Sequence, residues 1–95
     1  MLELRLRALL ASLAVHVEAW VVEEPTALLD AGEWGVAFES LCDNLYDGEI
    51  SVFPGEVAEI ESLGTELGST RRAWRLVREL VIGDEGSRGG VGSDG

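Results

Sequence analysis

The chain has no lysine, one cysteine, two prolines and few aromatic residues, and each shortage removes a class of protein. A lone cysteine, Cys42, cannot form an intrachain disulfide, and a reducing cytoplasm is its simplest home. No apolar run approaches the roughly 18 residues that a membrane span requires. A single His16 and a single Cys42 cannot make a zinc ligand set. The run Asp43, Asp47, Glu49 lacks the odd-position spacing and the turn glycine of a calcium loop. Neither a metal nor a cofactor is expected. Positive charge is scarce too, with 7 arginines against 18 carboxylates and a formal net charge of -11. Phosphate repels such a chain, so nucleic acid and anionic membrane surfaces are excluded as partners.

What is present is apolar. Hydrophobic residues make up 46% of the 95, far too many for an acidic disordered tail, and the length allows one domain. Apolar positions recur at helical spacing along most of the chain. Leu2, Leu6, Leu9, Leu10, Leu13, Ala14 and Val17 predict a first helix that ends between Glu18 and Glu24. Pro25 is suited to the first position of a short second helix closed by Gly32. A third helix runs from Glu33 to about Asp47 on the stripe Trp34, Ala37, Phe38, Leu41, Cys42 and Leu45, with Gly48 as its stop. Pro54 opens a fourth, whose inner face carries Val57, Ile60, Leu63, Gly64 and Leu67 and which Gly68 ends. Ser69 or Thr70 can cap a fifth, with Ala73, Trp74, Leu76, Val77, Leu80 and Val81 inward. Only residues 50–53 suit an extended segment. The prediction is an all-α, compact bundle of four to five short helices over residues 1–82. Residues 83–95, rich in glycine, form a flexible tail with too little apolar surface to offset the entropy of ordering it.

Arg5 and Arg7 precede an apolar stretch at 8–15 in the manner of a signal peptide. That stretch is interrupted by Ser12, continues in helical register to Val17, and has Glu3 before it, so a cytoplasmic protein is expected.

Catalytic chemistry finds little to build on. His16 and Cys42 are a base and a nucleophile in type, but nothing in the sequence sets their distance or orients the imidazole. The D-A-G-E-W-G step at 30–35 looks like a glycine-rich phosphate loop, yet Asp30 and Glu33 would repel an anion there. Gly32 is then a turn, Gly35 a place for close helix approach, and Asp30 a cap for backbone donors. Trp20, Trp34 and Trp74 read as core anchors, although Trp20, beside the helix break, is also placed to seat a partner.

The charges are segregated. Thirteen carboxylates and no arginine lie between residues 8 and 70, while Arg5 and Arg7 precede that stretch and Arg71, Arg72, Arg75 and Arg78 follow it. On a helical wheel Glu39, Asp43 and Asp47 share the outer face of the third helix, and Glu59 and Glu66 that of the fourth. Stacked like charges cost stability, so a segregated face suggests a basic partner. Its candidate contact residues are Glu33, Glu39, Asp43, Asp47, Glu49, Glu59 and Glu66. The arginines pair most economically with carboxylates of neighbouring helices.

The segment 28–67 carries L-L-D-A-G-E-W-G-V-A-F-E-S-L-C-D-N-L-Y-D-G-E-I-S-V and then V-A-E-I-E-S-L-G-T-E-L. Leu28, Leu29, Asp30, Gly32, Glu33, Trp34, Ala37, Glu39, Leu41, Cys42 and Leu45, followed by Ile50, Ser51, Ile60, Glu61, Leu63 and Gly64, resemble the pattern of the MafI-type immunity proteins. These are small bacterial proteins encoded beside secreted polymorphic toxins. The resemblance covers roughly 40 residues, mostly core and turn positions, and brings no mapped binding residues with it. It implies a cytoplasmic, non-enzymatic antidote that binds and blocks a cognate toxin. Together with the acidic face, the expectation is a toxin with a basic surface, such as a nuclease, bound by a monomer or weak dimer. The alternative is a small acidic helical adaptor or oligomerising scaffold with an apolar patch around Trp20 and Val36.

Overall fold

The computed structural model describes residues 2–69 and 73–81, and the described chain is all-α. Helix α1 spans Leu2–Ala14, α2 Ala19–Asp30, α3 Trp34–Asp47 and α4 Pro54–Leu67. A short α5, Ala73–Leu76, runs into a 3-10 turn, Val77–Leu80. One core joins them. Leu6, Leu9, Leu10 and Leu13 from α1 meet Val21 and Leu29 from α2. Phe38, Leu41, Cys42 and Leu45 from α3 and Ile60 and Leu63 from α4 complete it. Burying one such Leu or Phe side chain is worth about 1.5–3 kcal/mol, so these stripes hold the helices together. The expected tail at 83–95 lies outside the described residues, as do Thr70, Arg71 and Arg72.

Helices α2, α3 and α4 end in the same way. The amides of Gly32 and Glu33 return to the carbonyls of Leu29 and Leu28, both at 2.9 Å, with Gly32 at φ 84. The same Schellman closure ends α4, where Gly68 sits at φ 66 and Ser69 N–H reaches Gly64 O at 3.1 Å. It also ends α3, where Ile50 N–H reaches Leu45 O at 2.9 Å, but there the left-handed residue is Glu49 at φ 51. Gly48, expected as the stop, is one place early and has φ −84.

Two expected boundaries move. Helix α1 stops at Ala14, and α2 begins at Ala19, so Pro25 lies inside α2 rather than at its first position. An interior proline has no N–H for the carbonyl four residues back. That carbonyl belongs to Val21, and Asn44 of α3 supplies the missing donor, Nδ2 to Val21 O at 3.1 Å. Asn44→Ala is expected to cost about 1–2 kcal/mol through the orphaned carbonyl. In a Pro25→Ala background, where the backbone amide returns, the same substitution should cost well under half of that. Urea unfolding of the four variants checks it.

The extended segment at 50–53 has a use. Val52, fully buried, forms an isolated parallel bridge with Val81, and its N–H donates to Leu80 O at 3.0 Å.

Candidate functional site

Among the described residues Arg5, Arg7 and Arg78 act as struts between elements, while Arg75 stacks on its neighbour Trp74. Arg5 on α1 donates from Nε to Glu59 at 2.9 Å, from one terminal nitrogen to Glu66 at 2.6 Å and from the other to Ser62 Oγ at 2.8 Å. Hydrogen bonds to Glu59 and then Glu66 push the Arg5 guanidinium pKa further up. Arg7 bridges Glu3 at 3.1 Å and Asp30 at 2.9 Å. Arg78 pairs with Glu61 at 2.7 Å. Glu59 and Glu66 therefore face α1 and are matched there, instead of presenting an open acidic face on α4. Asp30 binds Arg7 rather than capping α3, whose N-cap residue is Glu33 with no side-chain cap bond.

The remaining candidate acids lie on the α2–α3 pair. Glu24, Glu39 and Asp43 line a shallow groove of about 380 Å³ together with Leu28, Val36 and Asn44. Glu39 accepts a hydrogen bond from Ser69 Oγ at 3.1 Å. Glu33, Asp47 and Glu49 are exposed, as are Glu23 and Glu24 on α2. Among the described residues, none of these five has an ion-pair partner.

Two sequence expectations, one about glycine and one about tryptophan, change. Gly35 faces open space, so no helix approaches it, and the close approach occurs at Gly64 against the Trp74 ring. Trp20 and Trp34 are 46% and 40% exposed and are not core anchors, whereas Trp74 is half-buried against the core.

The buried polar centre was missed. Glu56 of α4 is 5% exposed and gathers three donors. Ser12 Oγ lies 2.8 Å from it, His16 Nε2 2.9 Å, and Phe53 N–H 2.9 Å. The sequence signal was there: a glutamate at the third position of a helix opened by Pro54 is the returning half of a capping box. In this cluster the carboxylate is the hub, while in a Ser-His-acid triad the imidazole stands between the other two. His16 Nε2 donates to Glu56 rather than accepting from Ser12, so this contact is structural. Cys42 is wholly buried, and burial, then the nearby Glu39 charge, push its thiol pKa well up, away from thiolate chemistry.

Among the described residues no three His, Cys, Asp or Glu side chains are grouped to hold a metal ion, and no helix is long and apolar enough to cross a membrane. No family model, curated protein or solved structure matches this chain.

Proposed function

We propose that the chain neutralises a basic protein by stoichiometric contact, in the manner of the toxin-immunity proteins that segment 28–67 resembles, and that it does so in the cytoplasm. The observation that carries this reading is the partition of charge. Arg5, Arg7 and Arg78 pair with Glu59, Glu66, Glu3, Asp30 and Glu61, whereas Glu23, Glu24, Glu33, Asp47 and Glu49, on α2 and at the two ends of α3, have no arginine partner among the described residues. Like charges held on one side destabilise a monomer slightly and are relieved by a cationic partner. A toxin that acts on nucleic acid needs a basic cleft for its phosphate substrate, which is the complement of this surface. Such complementarity raises association rates more than it deepens the final complex, and speed suits an antidote.

The test is co-expression with the toxin encoded beside this gene. Rescue of growth and a 1:1 complex on gel filtration are expected, and their absence would sink the reading. With that toxin in hand, Asp47→Lys combined with Glu49→Lys should slow association on the order of tenfold at low salt and flatten its salt dependence. Stopped-flow rates that do not change would remove the acidic face from the mechanism. Self-association in light scattering without any partner would instead favour an oligomerising scaffold.

A further inference from the structure

Charge alone leaves the indole of Trp20 unexplained. It is 46% exposed, yet it is held at both ends. Nε1 donates to Glu18 Oε1 at 3.0 Å, and the far edge of the ring rests on Gly48. A Cβ at Gly48 would lie 3.0 Å from Cη2 and 3.2 Å from Cζ2, as well as 3.0 Å from the Asn44 carbonyl, so a larger residue there would crowd the ring and shift it by a few tenths of an ångström. The other two Schellman closures place glycine at the left-handed position. In α3 the glycine is one residue early, under the indole, and Glu49 takes the positive φ instead. The ring has a fixed seat without being buried, so a partner that stacks on it loses little further entropy. Rigid, central aromatics of this kind anchor interfaces.

Its surroundings select the partner's chemistry. Glu23 and Glu24 follow Trp20 by three and four positions and so share its helix face. Asp47 and Glu49 flank Gly48, and all four are exposed. We infer that Trp20 seats an arginine of the partner protein, its guanidinium stacked on the indole and forked to one of these carboxylates. The inference rests on the neutraliser reading and specifies the contact within it. Arginine is favoured over lysine because a planar guanidinium both stacks and makes paired hydrogen bonds, which a compact ammonium cannot. The same pairing occurs inside the chain, where Arg75 Cζ lies 5.4 Å from the Trp74 ring centroid.

The test is a titration of the 15N-labelled full chain with an acetylated Gly-Arg-Gly-Arg-Gly amide and with its lysine counterpart of equal charge. The Trp20 indole resonance is identified by its loss in Trp20→Phe. Saturable shifts at that indole and at the amides of 47–49 are expected with the arginine peptide. Trp20→Leu, which keeps an apolar side chain on α2 but removes the aromatic face, should weaken arginine binding roughly two- to fivefold and leave lysine binding unchanged. Equal responses to both peptides with the indole unmoved would overturn the inference, leaving only diffuse counter-ion attraction. An indole resonance that moves with protein concentration alone would overturn it too, because a second copy would then occupy the seat. Growth rescue by the wild-type chain, with wild-type toxin affinity retained in Trp20→Leu, would defeat the arginine seat and spare the neutraliser. Failed rescue with peptide-specific shifts would do the reverse.

Discussion

Glu56→Ala is expected to lower folding stability by about 3 kcal/mol, the largest effect of any single polar substitution in the chain. The side chain is nearly closed from water, and its two oxygens hold the Phe53 amide at the start of α4, the Ser12 hydroxyl of α1 and the His16 ring. Alanine leaves the Phe53 N–H without its cap, worth about 1 kcal/mol, and breaks two further bonds to a charged acceptor. Ser12 is exposed and the His16 side chain is 20% exposed, so both recover some hydration, and the total stays below the sum of the parts. Glu56→Gln keeps an acceptor for Phe53 but turns a donor toward one side of the cluster, and should cost about half as much. Urea midpoints that fall in that order with an unchanged m-value would establish the carboxylate as the rivet between α1 and α4. A change under about 0.5 kcal/mol for alanine would show that the cluster contributes nothing net.

Gly64→Ala is expected to destabilise by about 2 kcal/mol, against the usual direction. In an exposed helix interior the same change gains up to about 1 kcal/mol, because alanine is the better helix former. Here the added methyl group would sit 2.6 Å from Cε3 and 2.7 Å from Cε2 of Trp74, and closer still to Cδ2. The ring cannot swing aside freely, because its Nε1 donates to Ser69 O at 3.1 Å. Either α5 is pushed off α4 or that hydrogen bond is lost, and overpacking of this kind costs 1–3 kcal/mol. In a Trp74→Ala background the clash disappears, and Gly64→Ala should turn neutral or favourable. The coupling of the two sites is the measurement, and additive losses would mean that the contact is not what constrains Gly64.

The helices themselves were legible in the sequence because their signals are local. Pro54 opens α4, Gly32 and Gly68 take left-handed closures, and the stripe from Ala37 to Leu45 is buried as its spacing required. What was not legible depends on contacts between distant residues. Nothing near Pro25 indicates that Asn44, 19 residues later, would replace its missing donor and let α2 run through it. Nothing near Glu59 or Glu66 indicates that Arg5 would turn their helix face inward. Seven acids were nominated for a partner, and five of them, Glu33, Glu39, Asp43, Asp47 and Glu49, lie on α3 or at its two ends. Gly48 illustrates the same limit. A glycine after a helix reads as a stop, but at this position the ring of Trp20 packs closely over it and the turn itself falls to Glu49.

The bridge between Val52 and Val81 bears on timing. Like the α1–α4 contacts through Arg5 and Glu56, it joins residues far apart in sequence, here by 29 positions, and so forms after the local helical turns. The last described turn is fastened by that bridge, by the buried Val77 and by the Arg78–Glu61 pair. As a single four-residue 3-10 turn it is the element expected to open first on the way to unfolding. The Val52 amide, held at 3.0 Å by Leu80 O, then exchanges with solvent whenever that turn lifts, while the amides of α3 wait for the whole chain. Strengthening that clasp would lengthen the lifetime of the native state and leave its rate of formation nearly as it was.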